Sequence, residues 1–335
     1  MRLGKLAEGP RLRAVKKIFE NNSVPEPALL SGVRTDAAVA EIPGFPGKCL
    51  LQAQGADPDA LMEACNLVYA GGGVPECAEI TIFLPPQMTE QELKKITRSL
   101  EQEAGRLNVR VTGVDARVRA GLTNVCITAT VTAIGDFGIV GKLTTPKAGQ
   151  ALVVTGYAGQ AGIRSVFPYL PDDIRKRFRP DFLDRAFGKE SDTSAAAAAG
   201  VCREALKDGT FAISAVHAAG EGGIFAALWE MTAGSGVGFT ADVHKIPVRQ
   251  EAVEIAQLLG LNPYEIHSGG SLLIAADDGE GLVQKIRGAG VPAETLGSFT
   301  DSNSKILNNR GRIRFLDKPQ EDLSVDFRYR LRGEE

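Results

Sequence analysis

Cysteine is scarce and scattered in this chain: five residues, Cys49, Cys65, Cys77, Cys126 and Cys202, with no Cys-x-x-Cys pair among them. Such spacing builds neither a disulfide framework nor a structural zinc site, so free and mostly buried thiols are expected. No apolar run reaches the ~18 residues needed to cross a bilayer. The N-terminal MRLGKLAEGPRLRAVKKIFE has no apolar h-region, so a cytoplasmic protein with no membrane association is expected. A basic excess is missing too. The 38 Lys and Arg face 41 Asp and Glu, a formal net charge of −3, and the one local basic cluster, Arg175–Arg179, follows Asp172 and Asp173. No nucleic-acid partner is therefore expected. Nor does any spacing present a Ser/His/Asp or Cys/His nucleophile arrangement.

What remains is an ordinary globular balance, 44% hydrophobic and 24% charged over 335 residues. At roughly 100–200 residues per domain that length predicts two domains. The first half alternates strands and helices. Short apolar runs at 36–42 and 47–53 flank Pro43-Gly44-Phe45-Pro46, a hairpin signal, and a helix is expected at 57–70. Cys77–Leu84 reads as a strand stopped by Pro85-Pro86. Thr89-x-x-Glu92 then forms a capping box ahead of Leu93, Ile96, Leu100, Ala104 and Leu107, one apolar helical face. Two β-branched strands, 109–118 and 122–134, are expected to turn around Ala120-Gly121.

Periodicity lapses over DFGIVGKLTTPKAG at 136–149, which places a domain boundary there: 1–140 and 141–335. The second half restarts with a strand at 150–156, a helix-prone polar stretch, and an alanine run at 195–199 expected to be a close-packed helix face. Strands near 211–216, 271–276, 293–299, 305–308 and 312–316 and helices ending near 233, at 249–259 and at 279–288 complete an α/β layout.

Within that half, VHAAGEGGIFAALWEMTAGSGVGFTADVHKIPV at 216–248 and LLGLNPYEIHSGGSLLIAA at 258–276 carry an ordered series of short motifs: GG, L-x-E, SGVG, IPV, LGLNP and SGGSLLIA. This series resembles the carboxy-terminal domain of the aminoimidazole ribonucleotide (AIR) synthase superfamily, which includes the purine enzyme, selenophosphate synthetase, thiamine monophosphate kinase and the hydrogenase maturation protein HypE. The first half is compatible. TDAAV at 35–39 is similar to the family's acidic hairpin, NLVYAGGG at 66–73 to its Asn-Asp helix end, and TGVDARV at 112–118 to its third strand motif. The resemblance is closest to the HypE-like, AIR-synthase-related branch.

It implies an α/β (α+β) protein with the two-domain PurM-like fold. Its amino-terminal domain would bind nucleotide and dimerise, with the sheets of a homodimer joined into a barrel. It also implies ATP with Mg²⁺, a nucleotide or other small-molecule ligand, and a maturation-protein partner. The site residues it implies are Asp36 and Asp115 for metal, Gly71, Gly72, Gly73, Gly222 and Gly223 for the nucleotide, and His217 and Glu221 for catalysis. Each has an ordinary structural reading beside the functional one: glycines as helix caps, Glu221 as complement to a helix dipole, His217 as a hydrogen-bonded turn residue, and the aspartates as local turn acceptors.

The sequence also departs from the family pattern. Leu67 stands where an aspartate follows Asn66, Ala218 and Gly220 replace an aspartate and a threonine after His217, and LLQAQG at 50–55 lacks the usual Thr-Asp. TGYAGQAG at 155–162 lies where the family carries a Gly-Asp-His-Gly type turn after a strand but lacks the Asp and His, and the RYRLRGEE end shows no terminal cysteine of the HypE kind. Leucine and alanine cannot coordinate Mg²⁺. Two readings stay open: an ATP-dependent phosphoryl-transfer or maturation-type enzyme with a degenerate metal site, or a non-catalytic homodimeric ligand-binding scaffold.

Overall fold

The computed structural model describes residues 13–14, 28–29, 36–187 and 193–331. These form two compact units, one within Pro27–Val140 and one from Gly141 onward.

The first unit is built on a six-stranded sheet. Its strands are β1 (Ala28–Leu29), β2 (Ala38–Glu41), β3 (Lys48–Ala56), β4 (Cys77–Leu84), β5 (Arg110–Val118) and β6 (Cys126–Asp136), in the order β1-β2-β3-β6-β4-β5. Two helices, α1 (Ala60–Ala70) and α2 (Glu90–Leu107), and a single turn α3 (Phe137–Val140) complete it. Strand β3 shows why one face is covered: Cys49, Leu51, Ala53 and Gly55 alternate inward while Gln52 and Gln54 stay exposed. Helix α1 lies directly on this strand at Gly55, where a Cβ would sit 2.1 Å from the Ala60 carbonyl oxygen, so only glycine lets the two backbones meet. Leu51, Leu61, Ile82 and Val131 fill the core between.

The expected turn at Ala120-Gly121 is formed, with Gly121 at φ +85°, but the strands on either side of it do not pair with each other. Strand β4 lies between β5 and β6, paired antiparallel to β6 and parallel to β5. The cause is α2: its capping box is in place at Thr89 and Glu92, and the helix carries the chain back so that β4-α2-β5 becomes a parallel crossover.

The second unit holds a seven-stranded sheet. Its strands are β7 (Ala151–Thr155), β8 (Ala215–Ala218), β9 (Gly238–Asp242), β10 (Leu272–Ala276), β11 (Ala293–Thr300), β12 (Lys305–Asn309) and β13 (Arg312–Phe315), in the order β13-β12-β9-β11-β7-β10-β8. Around it run α4 (Gln160–Val166), α5 (Asp172–Arg175), α6 (Pro180–Phe187), α7 (Ala196–Asp208), α8 (Gly223–Thr232), α9 (Gln250–Leu259), α10 (Gly279–Gly288) and α11 (Leu323–Leu331). The central strands β7 and β10 are buried on both faces, which is why ALVVT and LLIAA are continuous apolar runs rather than alternating ones. The strand expected from 211 starts only at Ala215, because Phe211 and Ala212 take positive φ and close a tight turn first. The alanine run does form a buried helix face, with Ala195, Ala198 and Ala199 in the core. Among the described residues no helix is long and apolar enough to cross a membrane.

Candidate functional site

Strand β10 runs antiparallel to both β7 and β8, so the carboxy ends of β7 and β8 and the amino end of β10 share one edge of the sheet. Each of these ends carries a glycine-rich turn: Gly156–Gly162, Ala219–Gly223 and Ser268–Ser271. Polar bonds close them onto one another. Gly159 N donates to Ser268 Oγ at 2.9 Å and Ser271 Oγ donates to the Tyr157 carbonyl at 3.3 Å. Gly162 N donates to the His267 carbonyl at 2.8 Å, Ser268 N to that of Gly220 at 3.1 Å and Ala219 N to that of Ser271 at 2.9 Å.

His217 lies on the edge strand β8, and its Nε2 is 3.3 Å from Glu230 Oε2 on α8. The side chains are 14% and 25% exposed, so the pair sits largely out of water. A carboxylate on Nε2 holds that nitrogen as the N–H donor and makes Nδ1 the acceptor nitrogen of the neutral ring. Glu221 is half-buried in the turn before α8. Glu230 was not among the expected site residues, although it is the acid of the L-x-E motif in the sequence.

The glycines expected to meet nucleotide have their amides bonded within the chain. Gly71, Gly72 and Gly73 donate to the carbonyls of Leu67, Tyr69 and Val68 at 3.0 Å each, which makes them the carboxy cap of α1. Gly222 N donates to Asp322 Oδ2 at 2.8 Å, and Gly223 N to the Gly220 carbonyl at 3.1 Å. A Cβ on Gly223 would come 2.5 Å from the Tyr264 carbonyl oxygen, so this glycine is required by packing. Asp322, 4% exposed, therefore occupies the amino end of α8, and its other oxygen accepts from Ser324 N and Oγ at 2.9 and 2.6 Å.

Asp36 is half-buried ahead of β2, whereas Asp115 is exposed on β5 and ion-paired with Arg117 Nε at 2.5 Å. Four strand intervals separate β2 from β5, roughly 19 Å at the usual spacing. Within one chain, Asp36 and Asp115 therefore lie toward opposite sides of the sheet. Among the described residues no three His, Cys, Asp or Glu gather into a metal site made of protein side chains alone. His267, which leads into the Ser268–Ser271 turn, is buried at 7% exposure.

Comparison with known proteins adds the following. Residues 147–308 match the family model described as AIR synthase related protein, C-terminal domain. The chain is 24% identical over 258 residues to a putative hydrogenase expression/formation protein of Methanocaldococcus jannaschii, covering 74% of this chain and 71% of that one. It is 24% identical over 287 residues to the carbamoyl dehydratase HypE of Cupriavidus necator, covering 83% and 76%. Among solved structures, one of a HypE–HypF complex aligns with a TM-score of 0.68 at 19% identity, covering 92% of this chain and 100% of that one. A HypE in complex with ATP aligns with a TM-score of 0.65 at 17% identity, covering 93% and 97%. The structural likenesses carry the fold.

Proposed function

We propose, from the premise that this chain belongs to the AIR synthase/HypE-like superfamily and has its two-domain mixed α/β fold, that it is an ATP-binding protein of the HypE type performing phosphoryl transfer or a maturation step built on it. The observation that carries the reading is likeness over most of the chain to hydrogenase expression and HypE proteins, one of which shares the fold with ATP bound. When bound, ATP supplies an activated phosphoryl group. The chain's own contribution is His217: held through Nε2 by Glu230, it takes a proton at Nδ1 from the group that receives the phosphoryl. Glu221, the one acid of the Ala219–Gly223 turn, is the second catalytic residue in this reading. The amides of Gly71–Gly73, Gly222 and Gly223 are hydrogen-bonded within the chain.

Two features favour the second reading, a non-catalytic scaffold: Leu67 and Ala218 stand where the family has acids, and Asp322 occupies the α8 amino end. Calorimetric titration with ATP, with and without magnesium, followed by phosphate release on the same sample separates the two. Binding with turnover supports the enzyme, binding without turnover supports the scaffold, and no binding overturns both as nucleotide readings.

In either case the chain is read as a cytoplasmic homodimer. Val114 and Val118 on β5 and Ile134 on β6 are exposed apolar residues available to a second copy. A maturation protein is the further partner, as in the HypE–HypF complex. Sedimentation equilibrium at micromolar concentration tests the dimer, and a monomer there would overturn it.

A further inference from the structure

The stretch from Lys305 to Phe315 carries four cations, Lys305, Arg310, Arg312 and Arg314, and no acid, in a chain whose formal net charge is −3. It folds as the hairpin of β12 and β13, turned at Arg310 and Gly311, which take φ of +51° and +83°. β13 is the end strand of its sheet, so one of its long sides has no neighbouring strand among the described residues. The register says which groups lie along that side. Leu316 N donates to the Lys305 carbonyl at 2.7 Å and Phe315 lies opposite Ile306, so residues 312, 314 and 316 turn their backbone groups toward β12. The N–H and C=O of Ile313 and Phe315 therefore point away from the sheet.

The side chains sort by face. Arg314 lies opposite the core residue Leu307, its guanidinium 5.5 Å from the centre of the Phe225 ring, and Arg312 shares that face. Ile313 and Phe315 take the other face, 72% and 67% exposed. Neither Arg312 nor Arg314 has a carboxylate partner among the described residues. Open ladder groups flanked by exposed apolar side chains are a template for one more strand. A second copy of β13 does not fit. In one set of antiparallel registers arginine faces arginine, and in the other arginine faces Ile313 or Phe315, so charge or polarity is mismatched either way.

We propose that the open edge of β13 receives an extended segment of a partner protein in which acids alternate with apolar residues. Its backbone completes the ladder at Ile313 and Phe315, its apolar side chains cover those two, and its acids face Arg312 and Arg314. A nucleic acid would engage the arginines but leave the ladder groups and both apolar side chains unmatched. The inference stands apart from ATP binding, because none of the residues assigned to nucleotide or catalysis takes part.

The probe is a fluorescein-labelled octapeptide alternating valine and glutamate, titrated with the full chain and read by fluorescence anisotropy. Saturable binding is expected, weakened about tenfold or more by Arg312→Glu, which sets like charges against each other, and lost when lysine replaces glutamate in the peptide. Ile313→Ser, a second variant at an exposed position, is expected to weaken it as well. A strand turns only every second amide toward its neighbour, so N-methylation of one alternate set of peptide amides should abolish binding and of the other set should spare it. Absence of saturable binding overturns the proposal. So do equal binding of a scrambled peptide of the same composition, the same response to both N-methylations, and equal or tighter binding of an oligothymidylate, each of which would reduce the edge to a patch of positive charge.

Discussion

His217 Nε2 and Glu230 Oε2 meet at 3.3 Å between the edge strand β8 and helix α8. The carboxylate selects one tautomer of the ring, so Glu230→Gln is expected to mix the tautomers, read directly in the ¹⁵N shifts of His217. If phosphate release from ATP is found, His217→Ala is expected to lower it about 100-fold or more, the usual contribution of a positioned base.

Asp322 is expected to be a stability residue. Asp322→Ala leaves the Gly222 amide without its acceptor and should lower the unfolding free energy by about 1–3 kcal/mol in urea titration. Asp322→Asn retains an acceptor oxygen and should lose less.

Two glycine substitutions are expected to act with opposite sign. Gly223 has φ +68° and a Cβ there would meet two backbone carbonyls, so Gly223→Ala should destabilise by about 2 kcal/mol or more. Gly200 lies inside α7 with open space around it, so Gly200→Ala should stabilise by about 0.5–1 kcal/mol. Thermal unfolding of the two variants checks both signs.

Burial pushes the Cys202 thiol up to about 12, and burial with the nearby Glu103 carboxylate does the same for Cys65. Both should resist a thiol reagent at neutral pH until the chain unfolds. The folded values lie above the ordinary 9.0, so the fold favours the protonated thiols. That preference is fully present below 9.0 and is lost as pH rises toward 12, which predicts easier unfolding in urea across this window.

Glu92 has the reverse sign. Hydrogen bonds from the Thr89 amide and hydroxyl hold its carboxyl below the ordinary 4.5. The stabilisation is present above 4.5 and is lost as pH falls through the lower folded value, so Glu92→Ala should flatten the acid limb of the unfolding curve.

The same box shows what was legible in the sequence. Thr89-x-x-Glu92, the Cys77–Leu84 strand and the Gly279–Gly288 helix are local signals and stand where they were expected. Strand order was not legible, because a turn at Ala120-Gly121 reads identically whether its strands pair or are separated by β4. At the site, His217 stood out by its glycine turn, but its partner Glu230 and the occupant Asp322 are brought in by tertiary packing. Asp322 lies 100 positions from Gly222, a distance over which no periodicity speaks. His267 sat in an unremarked loop because burial of a lone histidine leaves no pattern.

The Asp322–Gly222 bond also orders events during synthesis. The first unit pairs only strands from within Pro27–Val140, so its sheet has all its partners soon after that stretch leaves the ribosome. The second unit cannot close its glycine turns until β10 has been made, and the Gly222 amide ahead of α8 gains its side-chain acceptor only once Asp322 follows, so the second unit is completed later than the first. Translation pauses placed before Asp322 should therefore expose the second unit alone to chaperones and proteases.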